Sequence, residues 1–148
     1  ILQTRQEVPD VKEQIRKLNL PVEKVNYFFG DQQERSRARR VLQERGDVIV
    51  SSSLDNNLEI NAPGATKGEA ILRLAGHLGL CREQTMGFGD GENDMTMIRT
   101  AGIGVAMGNA VEALKAEADY VTVTNDEDGV ADAIEKLVLN VEMESRHN

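Results

Sequence analysis

The chain has 148 residues, and its 25 acidic side chains against 17 basic ones give a net charge of −8. An acidic chain repels phosphate backbones, so the composition disfavours nucleic-acid binding. No apolar run approaches the roughly 20 residues of a membrane span, and the lone Cys81 cannot form an internal disulfide. A single thiol suits a reducing compartment, so we expect a cytoplasmic protein with no membrane partner.

The acidic excess lies in one part of the chain. Residues 1–62 carry ten basic and ten acidic side chains, whereas residues 63–148 carry seven basic and fifteen acidic ones. A breaker cluster, Asn61-Ala-Pro-Gly64, separates these parts. We therefore predict two units, 1–62 and 63–148.

The first unit is predicted to fold as a small α+β layer in the order α-β-α-β-β. A helix begins after Pro9-Asp10, an alternating strand ends at Gly30, a helix over about 31–45 ends at Gly46, and strands over 47–51 and 58–60 follow. Four of the arginines of the second helix form a basic cluster: Arg35, Arg37, Arg39 and Arg40. No aromatic residue interleaves them, so they are interpreted as a solvated face, with anion recognition as the alternative.

The second unit alternates strands with helices, which predicts βαβ units and a parallel sheet. We expect strands over 85–88, 103–106 and 120–123, and helices over 67–78, 95–101, up to residue 118, and 126–139. In the first of these helices the spacing predicts one apolar face, made by Ala70, Ile71, Leu74 and Leu78. The fold class is therefore α/β, preceded by the α+β layer.

The richest chemical segment is Gly87-Phe-Gly-Asp-Gly-Glu-Asn-Asp94, which follows a predicted strand. Ligands of open α/β sheets bind at the carboxyl ends of strands. Asp90 and Asp94 are four residues apart across the turn into a helix, so both carboxylates can face one point, and two oxygen donors suit Mg²⁺. Asn93 between them offers a neutral amide to a bound anion.

The loop has two other interpretations besides a metal site. A dinucleotide-binding turn is disfavoured, because three acidic residues would crowd the pyrophosphate and the spacing lacks the last glycine of GxGxxG. A solvated acidic turn with an N-capping aspartate fits the spacing as well as a metal site does. The residues alone leave this choice open.

Lys67 is the second candidate, because it opens a predicted helix where a cation is mildly unfavourable to the helix dipole. A lysine at this position could neutralise a phosphoryl group near the acidic loop. A solvated surface lysine is the alternative.

Five ordered motifs resemble the haloacid dehalogenase superfamily, in the order and spacing of the Cof-type sugar-phosphate phosphatases. They are Lys67-Gly-Glu-Ala-Ile-Leu, Gly89-Asp-Gly-Glu-Asn-Asp-Met95, Gly104-Val-Ala-Met-Gly-Asn-Ala110, Ala118-Asp-Tyr-Val-Thr122 and Glu127-Asp-Gly-Val130. The resemblance implies that residues 63–148 form the C-terminal half of a Rossmann-like core. It also implies that residues 1–62 form part of an α+β cap domain.

The resemblance further implies a Mg²⁺-dependent phosphatase for sugar or other small-metabolite phosphates. Lys67 would be the catalytic lysine that steadies the phosphoryl group, and Asn93 would contact the phosphate. Asp90 would ligate Mg²⁺, and Asp94 would support the metal through water or from a second layer of contacts. The small phosphorylated metabolite is then the expected ligand.

The chain departs from the family pattern in two respects. Its literal DxD match, Asp126-Glu-Asp128, belongs to another motif, so the segment that carries the family's nucleophile and general acid is not identified, and neither is the Ser/Thr of the second family motif. We expect the chain to be a C-terminal part of a family enzyme. It would supply the residues that bind the metal and the phosphate but not the covalent chemistry, and it would be inactive alone. A homodimer or a second chain is expected to cover the exposed sheet edge. The alternative is a non-catalytic module that binds a metal or a protein partner.

Overall fold

The computed structural model describes residues 7–139 except residues 20 and 23, so the predicted polar tail from residue 140 lies outside the described residues. The first unit has the predicted α-β-α-β-β order. Its elements are α1 (Val11–Leu18), β1 (Lys24–Phe28), α2 (Gln32–Arg45), β2 (Ile49–Ser51) and β3 (Asn57–Asn61).

The three strands form one antiparallel sheet in the order β1-β3-β2. Along β3 polar and apolar residues alternate, so successive side chains point to opposite faces of the sheet. Leu58 is fully buried on one face, and Asn57 and Glu59 are buried on the other. The sheet therefore has one apolar face and one mixed face, on which Phe28 and Ile49 lie beside the polar residues.

Helix α2 has the boundaries that its sequence predicts. The Asp31 side chain accepts hydrogen bonds from the backbone N–H groups of Gln33 and Glu34, which satisfies two of the free donors at the helix start. Gly46 ends the helix with φ 71°, a left-handed conformation that glycine adopts without a steric cost.

The second unit contains a parallel sheet in the order β4-β5-β6 with helices between its strands. Its elements are α3 (Lys67–His77), β4 (Met86–Gly89), α4 (Met95–Thr100), β5 (Ile103–Ala106), α5 (Glu112–Lys115), β6 (Tyr120–Val121) and α6 (Gly129–Leu137). The α/β class is confirmed, and the domain division at residue 62 stays a prediction. Within the described part, no helix has the length and apolar content needed to cross a membrane.

Several elements are shorter than predicted: β2 begins at Ile49, and α5 ends at Lys115. Strand β6 ends at Val121, and α6 begins at Gly129 because Asp128 adopts a left-handed conformation with φ 58°. The acidic residues before α6 instead form a single 3₁₀ turn, Asn125–Glu127, in which Glu127 accepts hydrogen bonds from Thr124.

The core of the second unit lies between the parallel sheet and the helices that follow β4 and β5. Its buried residues are Ile98, Ala106, Met107, Ala110 and Leu114, with Phe88, Met95 and Ala118 packed around them. This core fixes the carboxyl ends of β4 and β5, where the acidic loop begins.

The predicted apolar face of α3 is wrong. Leu74 and Leu78 are exposed, at 59% and 61%, whereas Gly68 and Ala75 are buried. A Cβ atom on Gly68 would lie 2.5 Å from the backbone oxygen of Thr96, so the missing side chain lets α3 approach α4 closely. The spacing of the apolar residues pointed to the larger side chains of α3, but the helix packs against α4 through its small residues.

Candidate active site

The acidic loop turns sharply at the end of β4 and directs Asp94 back to the strand. Asp94 is only 5% exposed, and its Oδ2 atom accepts the backbone N–H groups of Asp90 and Gly91 at 3.1 and 3.2 Å. A Cβ atom on Gly89 would lie 2.4 Å from the Cβ atom of Asp94. Only glycine at position 89 therefore leaves room for this carboxylate.

Lys67 meets the same carboxylate from the start of α3. Its Nζ atom donates to Oδ1 of Asp94, and Thr66 caps the helix by accepting the Glu69 N–H at 3.2 Å. The close contact between α3 and α4 at Gly68 brings this helix end to the loop. The Lys67 side chain is half exposed, so its ammonium has donors left for a ligand.

Asp90 lies at the exposed edge of the loop, next to the turn that follows β5. Its Oδ2 atom accepts from the Asn109 side chain at 3.3 Å, and its backbone oxygen accepts the Val111 N–H at 3.0 Å. Asn109 also accepts the Asn125 N–H at 3.1 Å. Asn109 thus joins three loops at this edge, a role that the sequence analysis missed, although its place after a strand was a signal.

The predicted site residues fit a divalent metal in part. Of the described residues, no three Asp, Glu, His or Cys side chains are grouped as a metal cage. Both Asp94 oxygens already accept hydrogen bonds, so Asp90 is the better direct donor. Mg²⁺ keeps several waters and often takes one or two carboxylates, so this donor set suits a weak Mg²⁺ site completed by water or substrate oxygens.

A cleft of about 930 Å³ lies between the first sheet and the acidic loop. Lys67 and Asn93 line one side, and Lys24 and Glu59 line the other. The Glu59 carboxylate is buried, with the Lys24 ammonium at 2.6 Å and the Ser53 hydroxyl at 2.6 Å. Burial raises the pKa of Glu59, but the hydrogen bonds from Lys24 and Ser53 outweigh it and the pKa is lowered.

The arginines of α2 do not all form a solvated face. Arg37 and Arg40 are exposed as expected, but Arg35 donates to Ser52 and to the backbone oxygen of Asn57. Arg39 forms a bidentate ion pair with Glu92 of the acidic loop. No local sequence pattern indicates a contact over 53 residues.

Lys67, Asp90 and Asp94 lie together at the carboxyl edge of a parallel sheet, which is where open α/β folds bind their ligands. The comparisons with known proteins identify which family has this arrangement. The chain belongs to the haloacid dehalogenase-like hydrolase family, whose family model matches residues 2–134. The resemblance inferred from the five motifs is therefore confirmed.

Three relatives show which proteins of the family the chain is similar to. It is 40% identical over 116 residues to the 5-amino-6-(5-phospho-D-ribitylamino)uracil phosphatase YcsE of Bacillus subtilis, covering 78% of this chain and 47% of that protein. A haloacid dehalogenase-like hydrolase structure from B. subtilis matches with a TM-score of 0.81 and 34% identity, over 88% of this chain and 46% of that one. The subclass IIB sugar phosphatase BT4131 matches with a TM-score of 0.71 and 37% identity, over 80% and 44%. The chain thus spans less than half the length of each relative.

Proposed function

We propose that this chain supplies the lysine, asparagine and metal-binding aspartates of a Mg²⁺-dependent phosphatase that hydrolyses phosphate monoesters of sugars or other small metabolites. The observation that carries the proposal is the meeting of Lys67 with Asp94 at the carboxyl edge of the parallel sheet, beside Asp90 and Asn93. The relatives' names, a ribitylaminouracil phosphatase and a sugar phosphatase, support the substrate class.

Each site residue has a separate part in the proposed reaction. Lys67 donates to a phosphoryl oxygen and neutralises part of its charge, while Asp94 fixes the lysine and would support the metal through a bound water. Asn93 donates its amide to another phosphoryl oxygen from the wall of the cleft. Asp90 would hold Mg²⁺, which offsets negative charge on the phosphoryl group when it is bound.

The nucleophile is proposed to come from outside this chain. A covalent phosphatase needs a carboxylate that attacks phosphorus in line with the leaving oxygen. Asp94 is held by Lys67 and two backbone N–H groups, and Glu92 is held by Arg39. We therefore expect the 148-residue chain to bind a phosphate ester without turning it over.

The partner is proposed to be a second copy or a second chain that pairs with β4. In the described part of the parallel sheet, β4 is an edge strand that pairs only with β5. An edge strand presents unpaired N–H and C=O groups and so favours association with another strand.

We also propose a cytoplasmic location, because the lone cysteine suits a reducing compartment.

The test is hydrolysis of p-nitrophenyl phosphate with Mg²⁺. The chain alone is expected to be no faster than an Asp90→Asn control. Mixing it with the part of the B. subtilis relative that it does not match is expected to restore turnover, and Asp90→Asn is expected to abolish the restored rate. A robust Mg²⁺-dependent rate from this chain alone would show that the nucleophile was misplaced. A chain that binds neither Mg²⁺ nor phosphate would favour the non-catalytic module instead.

A further inference from the structure

One side chain outside the acidic loop contacts the carboxylate that is proposed to hold the metal. The Asn109 amide nitrogen donates to Oδ2 of Asp90 at 3.3 Å, and the Asn109 amide oxygen accepts the Asn125 N–H at 3.1 Å. A backbone N–H can only donate, so it must meet the oxygen of the amide, and the nitrogen must meet the carboxylate. The orientation of the Asn109 amide is therefore set by its two partners.

A glycine allows Asn109 to reach this position. A Cβ atom on Gly108 would lie 2.8 Å from the backbone nitrogen of Thr124, and the Gly108 N–H donates to the Val123 oxygen at 3.0 Å. The turn after β5 therefore packs directly against the segment after β6, and a side chain at position 108 would separate them. This close approach places Asn109 between the Asn125 N–H and the acidic loop.

The backbone of Asp90 is fixed on both sides, so the orientation of its carboxylate depends on the contacts of the side chain. The Asp90 N–H donates to the buried Asp94 carboxylate at 3.1 Å, and the Asp90 C=O accepts the Val111 N–H at 3.0 Å. Within the described residues, Asn109 is the one group that donates to the Asp90 carboxylate, and it contacts Oδ2 alone. Among those residues, Oδ1 is the oxygen that is left without a donor.

The number of free carboxylate oxygens affects which divalent cation a site prefers. Mg²⁺ requires near-ideal octahedral geometry and keeps several waters, whereas Ca²⁺ takes about 6–8 oxygens in flexible geometry, and one carboxylate can supply two of them. The hydrogen bond from Asn109 disfavours binding through both oxygens of Asp90, because the cation would have to displace the donor from Oδ2. Binding through Oδ1 alone suits Mg²⁺ better than Ca²⁺.

We propose that Asn109 is a positioning residue that holds Asp90 as a one-oxygen ligand and so favours Mg²⁺ over Ca²⁺ at the acidic loop. The inference rests on the proposed function, because that function assigns the metal to Asp90. It gives a role to the motif Gly104-Val-Ala-Met-Gly-Asn-Ala110, to which the proposed reaction assigns none.

The experiment titrates the full chain with Mg²⁺ and, separately, with Ca²⁺, and follows the amide NMR signals of residues 89–94. The measured quantity is the ratio of the two affinities. N109A is expected to lower the Mg²⁺ affinity about tenfold, as the loss of a partner of a metal-binding carboxylate does. The Ca²⁺ affinity is expected to fall by less, because the freed Oδ2 atom can also bind Ca²⁺. N109Q keeps an amide and is expected to keep part of the wild-type ratio.

Controls separate the positioning role from a purely structural one. N125A removes the neighbouring amide but keeps the backbone N–H that Asn109 accepts, so it is expected to keep the wild-type ratio. Asn109 is exposed, and N109S carries the test if thermal melting shows that N109A fails to fold. An unchanged ratio, including an equal loss of both affinities, would show that Asn109 only shapes the loops and overturns the inference.

D90N separates this inference from the proposed function. If D90N abolishes metal binding while N109A leaves the ratio unchanged, the inference alone is overturned. If D90N leaves metal binding unchanged, or if wild type binds neither cation, the metal assignment of the proposed function is overturned, and the inference with it.

Discussion

Arg39 and Glu92 form the one ion pair that joins the two units, as far as residues 7–139 are described without 20 and 23. Arg39 lies on α2, and Glu92 lies between Gly91 and Asn93 in the acidic loop. One guanidinium nitrogen donates at 3.1 Å, and the second donates to the other carboxylate oxygen. The contact therefore ties the first unit to the segment that carries Asn93.

We expect this pair to set geometry more than stability. The two side chains are 23% and 43% exposed, and such pairs contribute about 1 kcal/mol or less to the free energy of unfolding. In R39M, urea denaturation is expected to change little, while the amide NMR signals of β3 and of residues 89–94 both move. R45M, which breaks the Arg45–Asp47 pair, should move neither set. A large loss of stability in R39M with unmoved loop signals would contradict the expectation.

The contact between α3 and α4 gives a second prediction, which compares two glycines of one helix. G68A places a Cβ atom 2.5 Å from the Thr96 oxygen, whereas nothing lies within 4 Å of a Cβ atom on Gly76. We expect G68A to lower the free energy of unfolding by about 1–3 kcal/mol through overpacking. G76A should be neutral or raise it by up to about 1 kcal/mol, because alanine favours helix. Urea denaturation measures both, and equal effects would show that α3 does not pack through Gly68.

These comparisons also show what the sequence could predict and what it could not. Lys67 at a helix start and Asp94 in a glycine-rich loop each carried a local signal, so both were found although they are 27 residues apart. Arg39 and Lys24 carried no local signal, because charged residues on a helix or an edge strand are usually solvated. Only the folded structure places Glu92 beside Arg39 and Glu59 beside Lys24. Local patterns identify elements and loops, whereas ion pairs between distant elements depend on how those elements pack.

The third prediction concerns pH and the Glu59 carboxylate. Its pKa lies below the ordinary value, because the hydrogen bonds from Lys24 and Ser53, with the charge of Lys67, outweigh the effect of burial. A depressed pKa in the folded state adds stability above the unfolded pKa of about 4.3, and this stability is lost as the pH falls through the folded value. The free energy of unfolding of wild type should therefore exceed that of E59Q at pH 7, and the difference should shrink as the pH falls below about 4.

Urea denaturation at pH values from neutral to acidic checks this. E117Q provides a matched control: the hydrogen bond from Arg99 also lowers the pKa of Glu117, but this carboxylate is exposed. The free energy of unfolding of E117Q should differ from that of wild type by less than the E59Q value does at every pH, because solvent screens the Arg99–Glu117 pair. A difference between wild type and E59Q that stays constant across the acidic range would show that Glu59 keeps an ordinary pKa.

The fourth prediction concerns metal binding. Asp90 and Glu92 are both exposed in the loop, but Glu92 is paired with Arg39. Mg²⁺ titration followed by NMR should therefore move the amide signals of residues 89–94 before any others. Binding is expected to be weak, because few carboxylates are grouped there. D90N should remove the response, and D126N, in the acidic turn before α6, should leave it unchanged. Movement of other amides while the loop signals stay still would place the metal elsewhere.

The fifth prediction concerns the edge of the parallel sheet. Strand β4 pairs with β5 alone among the strands of the described sheet, and a strand with one unpaired side favours association. Light scattering is expected to give a mass above that of the monomer, rising with protein concentration. M86K places a charge on β4 and should lower the mass, because charged side chains discourage pairing at an edge. V121K tests the opposite edge, where β6 has only two residues, and should leave the mass unchanged.

Thermal melting confirms that each variant is folded. A monodisperse monomer at high concentration would show that β4 needs no partner, and an equal response to both lysines would show that the sheet edge is not the contact.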